Sequence, residues 1–159
     1  MADRAGYIYK ELTLSCDTAQ YTAGDVLAAP QELAGVCPAG HPVKLESVSL
    51  LDADDQGSAL ELYILRSSVT MGAENAAVAW TDANADEVLT MVPIGTADYT
   101  DLGSSEFATR SAAGGHAGMG AICYALAGES LYVGAVTRGT PTHTAGGVTL
   151  KFGFADARI

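Results

Sequence analysis

The sequence predicts an all-β fold, an antiparallel β-sandwich of jelly-roll-like form with one short helix. Three observations favour it: apolar and polar residues alternate with a period of two, turn signals separate the alternating runs, and Gly is abundant at 18 of 159 residues. A chain of this length buries enough surface for one domain without a disulfide or a metal. We therefore expect a mobile or partner-bound arm over residues 1–10 and a single sandwich domain over residues 11–159.

Four segments show the alternation that is typical of strands with one buried face. They cover residues 7–14, 59–66, 131–137 and 148–154. The residues predicted to face the core are Ile8, Leu12, Leu14, Leu60, Leu62, Ile64, Leu131, Val133, Ala135, Val148, Leu150, Phe152 and Phe154.

Turn signals between the strands predict two hairpins. The first joins residues 45–52 to 59–66 through the segment Asp54-Asp55-Gln56-Gly57, and the second joins residues 122–126 to 131–137 through Gly128-Glu129. Asp82 is predicted to cap a short helix over residues 83–90, with Pro93 just beyond its end.

The charge balance excludes several classes of partner. Eight basic residues stand against 19 acidic ones, for a formal net charge of −11. Nucleic acids and anionic membranes both require basic surfaces, so neither is expected as a partner. The first residues show no basic segment followed by an apolar one, so we expect no secretory signal, and we expect synthesis in the cytoplasm.

No pattern of catalytic residues stands out, and we expect neither an enzyme nor a cofactor. The three cysteines are widely spaced and are predicted to be buried as small apolar residues. His41, His116 and His143 lie far apart in turn-rich segments, which favours solvated loop histidines over metal ligands. No metal site is therefore predicted from them.

The segment from Asp52 to Gly57 resembles the opening of a calcium loop, because oxygen-bearing side chains alternate before a glycine. The closing Glu is absent, since the twelfth position is Tyr63. A backbone turn is the favoured interpretation, because Asp and Gly are preferred in turns, and a cation site stays open as the alternative.

Aromatic residues provide the candidate protein interface. Tyr7, Tyr9 and Tyr63 fall on the faces opposite the apolar stripes, and Tyr is enriched at interfaces. With Ile8 they are the predicted contact residues, and ordinary surface tyrosines are the alternative. Trp80 is expected to pack between elements rather than to stack on a ligand.

Three segments carry a family resemblance: Tyr21–Ala28, Val48–Gly57 with its Asp-x-Asp-Asp-Gln-Gly turn, and Leu131–Thr142. With Ala73–Val78 and the terminal apolar strand they resemble the capsid decoration, or cement, proteins of tailed bacteriophages, over most of residues 18–154. The resemblance implies a non-catalytic protein on the capsid exterior that binds the major capsid protein and self-associates, typically as a homotrimer.

Two other functions stay open at this point. One is a receptor- or glycan-binding head of a phage tail fibre, which needs an exposed aromatic platform. The other is an enzyme or small-molecule barrel, which needs a deep pocket with convergent polar groups.

Overall fold

The computed structural model describes residues 6–158, which form two antiparallel sheets packed face to face. The described strands are β1 (Tyr7–Thr13), β2 (Val26–Leu33), β3 (Val43–Asp52), β4 (Leu60–Leu65), β5 (Val88–Ile94), β6 (Tyr99–Asp101), β7 (Glu106–Ser111), β8 (Ile122–Cys123), β9 (Leu131–Thr137) and β10 (Val148–Asp156). One helical turn, α1 (Asp82–Ala85), and the 3₁₀ turns Pro38–Gly40 and Thr96–Asp98 complete the described elements.

The strand order is that of a jelly roll. The larger sheet has the order β1-β10-β3-β7-β6, with β8 paired to the end of β3, and the smaller sheet has the order β2-β9-β4-β5. The pairs β1–β10, β2–β9, β3–β7 and β4–β5 are those of one long hairpin rolled into two layers. The predicted all-β sandwich is therefore confirmed, and its connectivity is that of the jelly-roll class.

The inward faces of the two sheets build one apolar core. Leu12 and Ile8 on β1 pack against it, and Leu14 is fully buried just after that strand. The remaining residues predicted to face the core are all buried as expected: Leu60, Leu62, Ile64, Leu131, Val133, Ala135, Val148, Leu150, Phe152 and Phe154. The three free cysteines are also buried, as the sequence predicts.

Both predicted hairpins are wrong. β3 and β4 follow each other in sequence but lie in different sheets, where β3 pairs with β10 and β7 and β4 pairs with β9 and β5. The segment from Asp54 to Gly57 is therefore a crossover from one layer to the other. Likewise β8 pairs with β3, and β9 pairs with β2 and β4. Burying both apolar faces against each other outweighs the local tendency of neighbours to pair.

The predicted helix is much shorter than expected. α1 is a single turn, and its cap is Thr81, whose side chain accepts a hydrogen bond from the Asn84 amide at 3.2 Å. Residues 88–90 belong to β5 instead, because Val88, Thr90 and their neighbours favour a strand that can pair with β4. Pro93 is tolerated there because β5 is an edge strand.

Residues 7–10, assigned to the N-terminal arm, continue the sandwich. β1 pairs with β10 from Tyr7↔Ala155 to Thr13↔Thr149. Within the described residues the domain therefore includes Tyr7–Lys10 as sheet, and residues 1–5 of the predicted arm lie outside the described part of the chain. Across residues 6–158, the longest helix is far too short to span a lipid bilayer.

Candidate functional site

The two sheets differ in whether another part of the chain covers their outer faces. The outer face of the smaller sheet is covered by the segment 66–81 of the same chain. Met71 is fully buried there with Val26 and Val136, and a methyl group on Gly134 would lie only 2.6 Å from the Met71 sulfur. This small second core lies on the outer face of the smaller sheet, so the chain itself covers that face.

Tyr63 and Trp80 belong to this second core. Their ring centroids are 5.5 Å apart at 53°, and both side chains are partly buried against Val26, Met71 and Val136. The Tyr63 hydroxyl donates to Glu61 Oε2 at 2.8 Å. Packing of Trp80 between elements is thus as predicted, and Tyr63 is placed in an intrachain contact rather than on an open face.

The outer face of the larger sheet presents a groove instead. The register sets Tyr9 opposite Gly153, Gly153 opposite Ser47 and Ser47 opposite Ser111. These small residues form the floor of a groove of about 580 Å³ between Tyr9 and the strand β7. We call this surface the open face, defined by Tyr9, Ser47, Ser49, Leu51, Phe107 and Thr109.

Gly153 shapes the Tyr9 end of the groove. A Cβ at this position would overlap the Ser47 hydroxyl and lie 3.6 Å from Tyr9 Cε1. Absence of a side chain therefore lets the Tyr9 ring and Ser47 approach each other across the strand. The same place carries a β-bulge between Gly153 and Phe154, which increases local twist.

The open face contains two apolar side chains, and charged side chains border it. Leu51 and Phe107 are register partners across β3 and β7, and they are 38% and 36% exposed. Lys151 Nζ lies 4.0 Å from Glu11 Oε2. Both side chains are well exposed, so this ion pair adds little stability. The face can thus offer apolar area with a polar floor to a partner.

β1 adds an exposed edge to this face. It is the end strand of the larger sheet, and Tyr7 and Tyr9 on it are 64% and 75% exposed. Their rings stack 6.1 Å apart at 20°. Natural proteins usually protect such edges with charge or cover, since an open edge can accept a strand from another chain.

Of the four predicted interface residues, the structure therefore brings only Tyr7 and Tyr9 together. Tyr7 and Tyr9 lie exposed on the edge strand, Ile8 faces inward against the core, and Tyr63 sits on the other sheet. Leu51 and Phe107 belong to the open face but were not singled out from the sequence. Their exposure could have been inferred only from knowing that β3 and β7 are neighbours.

The turn from Asp52 to Gly57 is organised by a buried carboxylate. Asp52 is 1% exposed, its Oδ1 accepts from the Asp54 amide at 3.0 Å, and its Oδ2 accepts from the amides of Gln56 at 3.0 Å and Gly57 at 2.9 Å. Asp55 and Gly57 have φ values of 56° and 50°, the left-handed region that turns use. This matches the favoured interpretation of the segment as a backbone turn.

The predicted solvated state of the histidines holds only in part. His41 is exposed, and His116 is half-buried with its Nδ1 accepting from the Ser111 amide at 2.9 Å. His143 is 4% exposed and lies beside the carboxylates of Asp52 and Asp54, so the prediction is wrong for this residue. The long connection between β9 and β10 folds back onto the β3–β4 crossover and encloses it.

The electrostatics of Asp54 reflect the same enclosure. Desolvation works to raise its pKa, but hydrogen bonds from the Thr144 amide and hydroxyl, together with the nearby His143, outweigh desolvation and hold the pKa below its usual value. Thr144 donates from its amide to Oδ2 and from its hydroxyl to Oδ1, both at 2.8 Å. These contacts favour the ionised form of the carboxylate.

Comparison with known proteins adds little to this picture. No known protein family matches the chain, and no curated protein matches it either. One similar solved chain belongs to the structure of infectious bursal disease virus Gx strain. It is 16% identical over 97% of this chain and has a TM-score of 0.24, and this chain spans 41% of its length. A similarity at that TM-score carries no argument about fold or function.

Proposed function

We propose that this chain is a non-catalytic structural protein of a tailed-phage virion that binds the outside of the capsid. It self-associates, as a homotrimer, and contacts the major capsid protein through the open face and the β1 edge. It is made in the host cytoplasm and acts on the assembled shell, without nucleic acid or membrane as partner. The sequence resemblance over most of residues 18–154 supports the virion assignment, and the open face with the β1 edge supports this mode of contact.

The observation that carries the proposal is the exposed pair of Tyr7 and Tyr9 on an edge strand beside an open face. Tyrosines bury much area on binding and lose few rotamers, so they are frequent anchors of interfaces. An edge strand can also extend its sheet into a neighbouring chain by main-chain hydrogen bonds. Together they give one continuous surface for sister chains and capsid.

The remaining properties are compatible with this role. The net charge of −11 keeps the outward surfaces soluble and discourages nonspecific association. The covered face of the smaller sheet and the continuous core give a body that stays folded while the other face is occupied. Many soluble β domains share these traits, so they support the proposal less strongly than the tyrosine pair does.

The experiment is reconstitution on capsids of the cognate phage, after mass spectrometry has identified the chain in purified virions. Tyr7→Ser/Tyr9→Ser is compared with the wild type and with a second double variant, Tyr124→Ser/Tyr132→Ser. The tyrosines of this control lie outside the open face and the β1 edge. We expect at least about tenfold weaker shell binding for the first variant only, which corresponds to about 1.4 kcal/mol. Point variants are preferred to deletion of residues 1–10, since deletion would remove the Tyr7–Lys10 half of β1.

Solution mass provides the second readout. The wild type should sediment as a trimer of 16.3 kDa chains, independently of the shells. Absence of the chain from virions, or equal shell occupancy for both double variants, would overturn the proposal.

A receptor- or glycan-binding head of a tail fibre is the second candidate, and the groove favours it. The Tyr9 ring borders a floor of hydroxyl groups from Ser47, Ser49 and Thr109, and sugars bind to such mixed surfaces. A glycan array separates the two candidates. Sugar binding that is lost in Tyr9→Ser and in Ser47→Val supports the fibre head, and a blank array together with shell binding supports the capsid protein.

A further inference from the structure

Two distant segments meet at one end of the sandwich and enclose three potential metal ligands. Asp52 ends β3, Asp54 lies in the crossover that follows, and His143 lies in the connection between β9 and β10. The Ala53 amide donates to the Gly147 carbonyl at 2.8 Å, and Thr144 bonds to Asp54. The side chains of Asp52 and His143 are each 2% exposed, and that of Asp54 is 15% exposed.

The hydrogen bonds around the two carboxylates position them and leave oxygen lone pairs free for a cation. Asp52 Oδ1 accepts one amide hydrogen and Asp54 Oδ2 accepts one, so each of these oxygens keeps a free lone pair. Five backbone and hydroxyl donors therefore fix the carboxylates without neutralising them. A positive group between these two enclosed carboxylates would compensate for the water that they lose on folding.

His143 provides the independent observation. Its Nδ1 is buried without a hydrogen-bond partner. Among the described residues, no other buried side-chain nitrogen or oxygen lacks one. It lies 3.4 Å from Asp54 Oδ2 and 3.7 Å from Asp52 Oδ1. A buried polar atom is nearly always satisfied in native proteins, so an orphaned nitrogen aimed at two carboxylates points to a ligand between them.

The spacing fits a small transition-metal ion. Bonds of about 2.0–2.2 Å to nitrogen and oxygen place the ligand atoms of a tetrahedral ion about 3.3–3.6 Å apart. The three donor atoms lie within 4.8 Å of one another, with two of the separations close to that edge length. One imidazole and two carboxylates favour a divalent ion of the zinc kind over calcium or magnesium, which prefer oxygen alone.

We propose that Asp52, Asp54 and His143 bind one divalent ion of the zinc kind, with water completing its coordination. The ion ties the β3–β4 crossover to the β9–β10 connection, segments about 90 residues apart in sequence. Binding to a site that exists only in the folded chain stabilises the fold. This inference does not depend on the proposed virion role, because it concerns the stability of the isolated protein.

The test uses the full chain after treatment with a chelator and dialysis. Isothermal titration with ZnCl₂ should give one site per chain, with far weaker or no binding of CaCl₂ and MgCl₂. Free Zn²⁺ at 100 times the dissociation constant should raise Tm by about 5–10 °C. Co²⁺ substitution should give the visible absorption of a low-coordinate site without the thiolate charge-transfer band that cysteine ligands would add.

Variants assign the site. His143→Gln and Asp54→Asn should each weaken Zn²⁺ binding by at least about 100-fold, while His41→Gln, which changes an exposed histidine, should leave it unchanged. Asp54→Asn keeps the proposal testable if His143→Gln fails to fold, because Asp54 is partly exposed. Absence of binding, equal binding by the His41 and His143 variants, or binding that leaves Tm unchanged would overturn the proposal. Direct contact of the His143 ring with the two carboxylates would then account for the cluster.

Discussion

Gly147 lies directly against the Asp54 carboxylate. A Cβ at position 147 would overlap Asp54 Oδ2 and lie 2.7 Å from Cγ and 3.0 Å from the Thr144 hydroxyl. The backbone at Gly147 also accepts from the Ala53 amide at 2.8 Å, so the loop cannot simply move away. This close approach joins the β9–β10 connection to the β3–β4 crossover.

Gly147→Ala should therefore destabilise the fold by about 1–3 kcal/mol, because the methyl group must displace Asp54 from both of its hydrogen bonds to Thr144. Urea unfolding followed by fluorescence measures the change. Ala145→Ser, an exposed substitution in the same connection, is the control and should lie within about 0.5 kcal/mol of the wild type. A Gly147→Ala protein as stable as the control would contradict the expected clash.

Tyr21→Phe should cost about 1–2 kcal/mol. The Tyr21 side chain is fully buried, and its hydroxyl donates to the Leu27 carbonyl at 2.9 Å and accepts from the Asp17 amide at 2.6 Å. Removing the hydroxyl leaves the buried Leu27 carbonyl and the part-buried Asp17 amide without this partner. Tyr124→Phe, where the hydroxyl is exposed and accepts from Arg66, serves as control in the same denaturant titration and should change stability little.

Glu61→Gln should reduce stability by about 0.5–1 kcal/mol at neutral pH. The hydrogen bond from Arg138 at 2.7 Å, and then that from Tyr63, hold the pKa of Glu61 below its usual value despite partial desolvation. A lowered pKa in the folded state gives stability that is present above the unfolded value of about 4.3 and is lost as pH falls toward the folded value.

The difference between wild type and Glu61→Gln should therefore be constant from pH 7 to about pH 5 and shrink below about pH 4.3. Thermal unfolding across this range measures it. Glu11→Gln, on a well-exposed glutamate 4.0 Å from Lys151, should show a smaller difference at every pH. A gap that widens as the pH falls would show that Arg138 does not stabilise the ionised form.

The three thiols should react slowly in the native protein. Desolvation, aided by nearby acidic groups, raises the pKa of Cys16 to about 12, and desolvation with Cys37 nearby raises that of Cys123 to about 12. Burial also raises the pKa of Cys37. Because the thiolate is the reactive form, labelling with a disulfide reagent at pH 8 should be at least about 100-fold slower than in denaturant. Ala145→Cys, an exposed thiol in the same protein, should react at once, and equally fast labelling of the wild type would refute the burial.

Local periodicity predicted the strands well, and its failures have a common cause. The alternation at 59–66 and 148–154 marks which side chains face the core, because a strand with one buried face needs it whatever its partner is. Pairing is not local. β3 and β4 resemble a hairpin in sequence, yet each pairs with other strands, and in the rolled topology the two sheets bury their apolar faces against each other.

In the candidate sites, too, local alternation predicted exposure but not which residues lie on the same surface. Tyr7 and Tyr9 could be predicted as exposed, since they alternate with inward residues of one strand. Ile8 and Tyr63 could not be placed on the same surface, because that depends on which face of which sheet is covered. The segment 66–81, which covers Tyr63, shows little of the apolar–polar alternation from which strands are predicted. Nothing in the local sequence indicates that Met71 fills a second core.

His143 shows the limit most clearly. Its sequence neighbours are turn-forming and polar, which is typical of a solvated loop, and its burial depends on Asp52 and Asp54, which lie about 90 positions earlier. By itself the sequence determined an all-β chain with apolar stripes facing a core, a net acidic charge and buried thiols, because composition and alternation act residue by residue. Strand pairing, the open and the covered face, and the meeting of His143 with two carboxylates were decided by the tertiary structure, because each depends on contacts between segments distant in sequence.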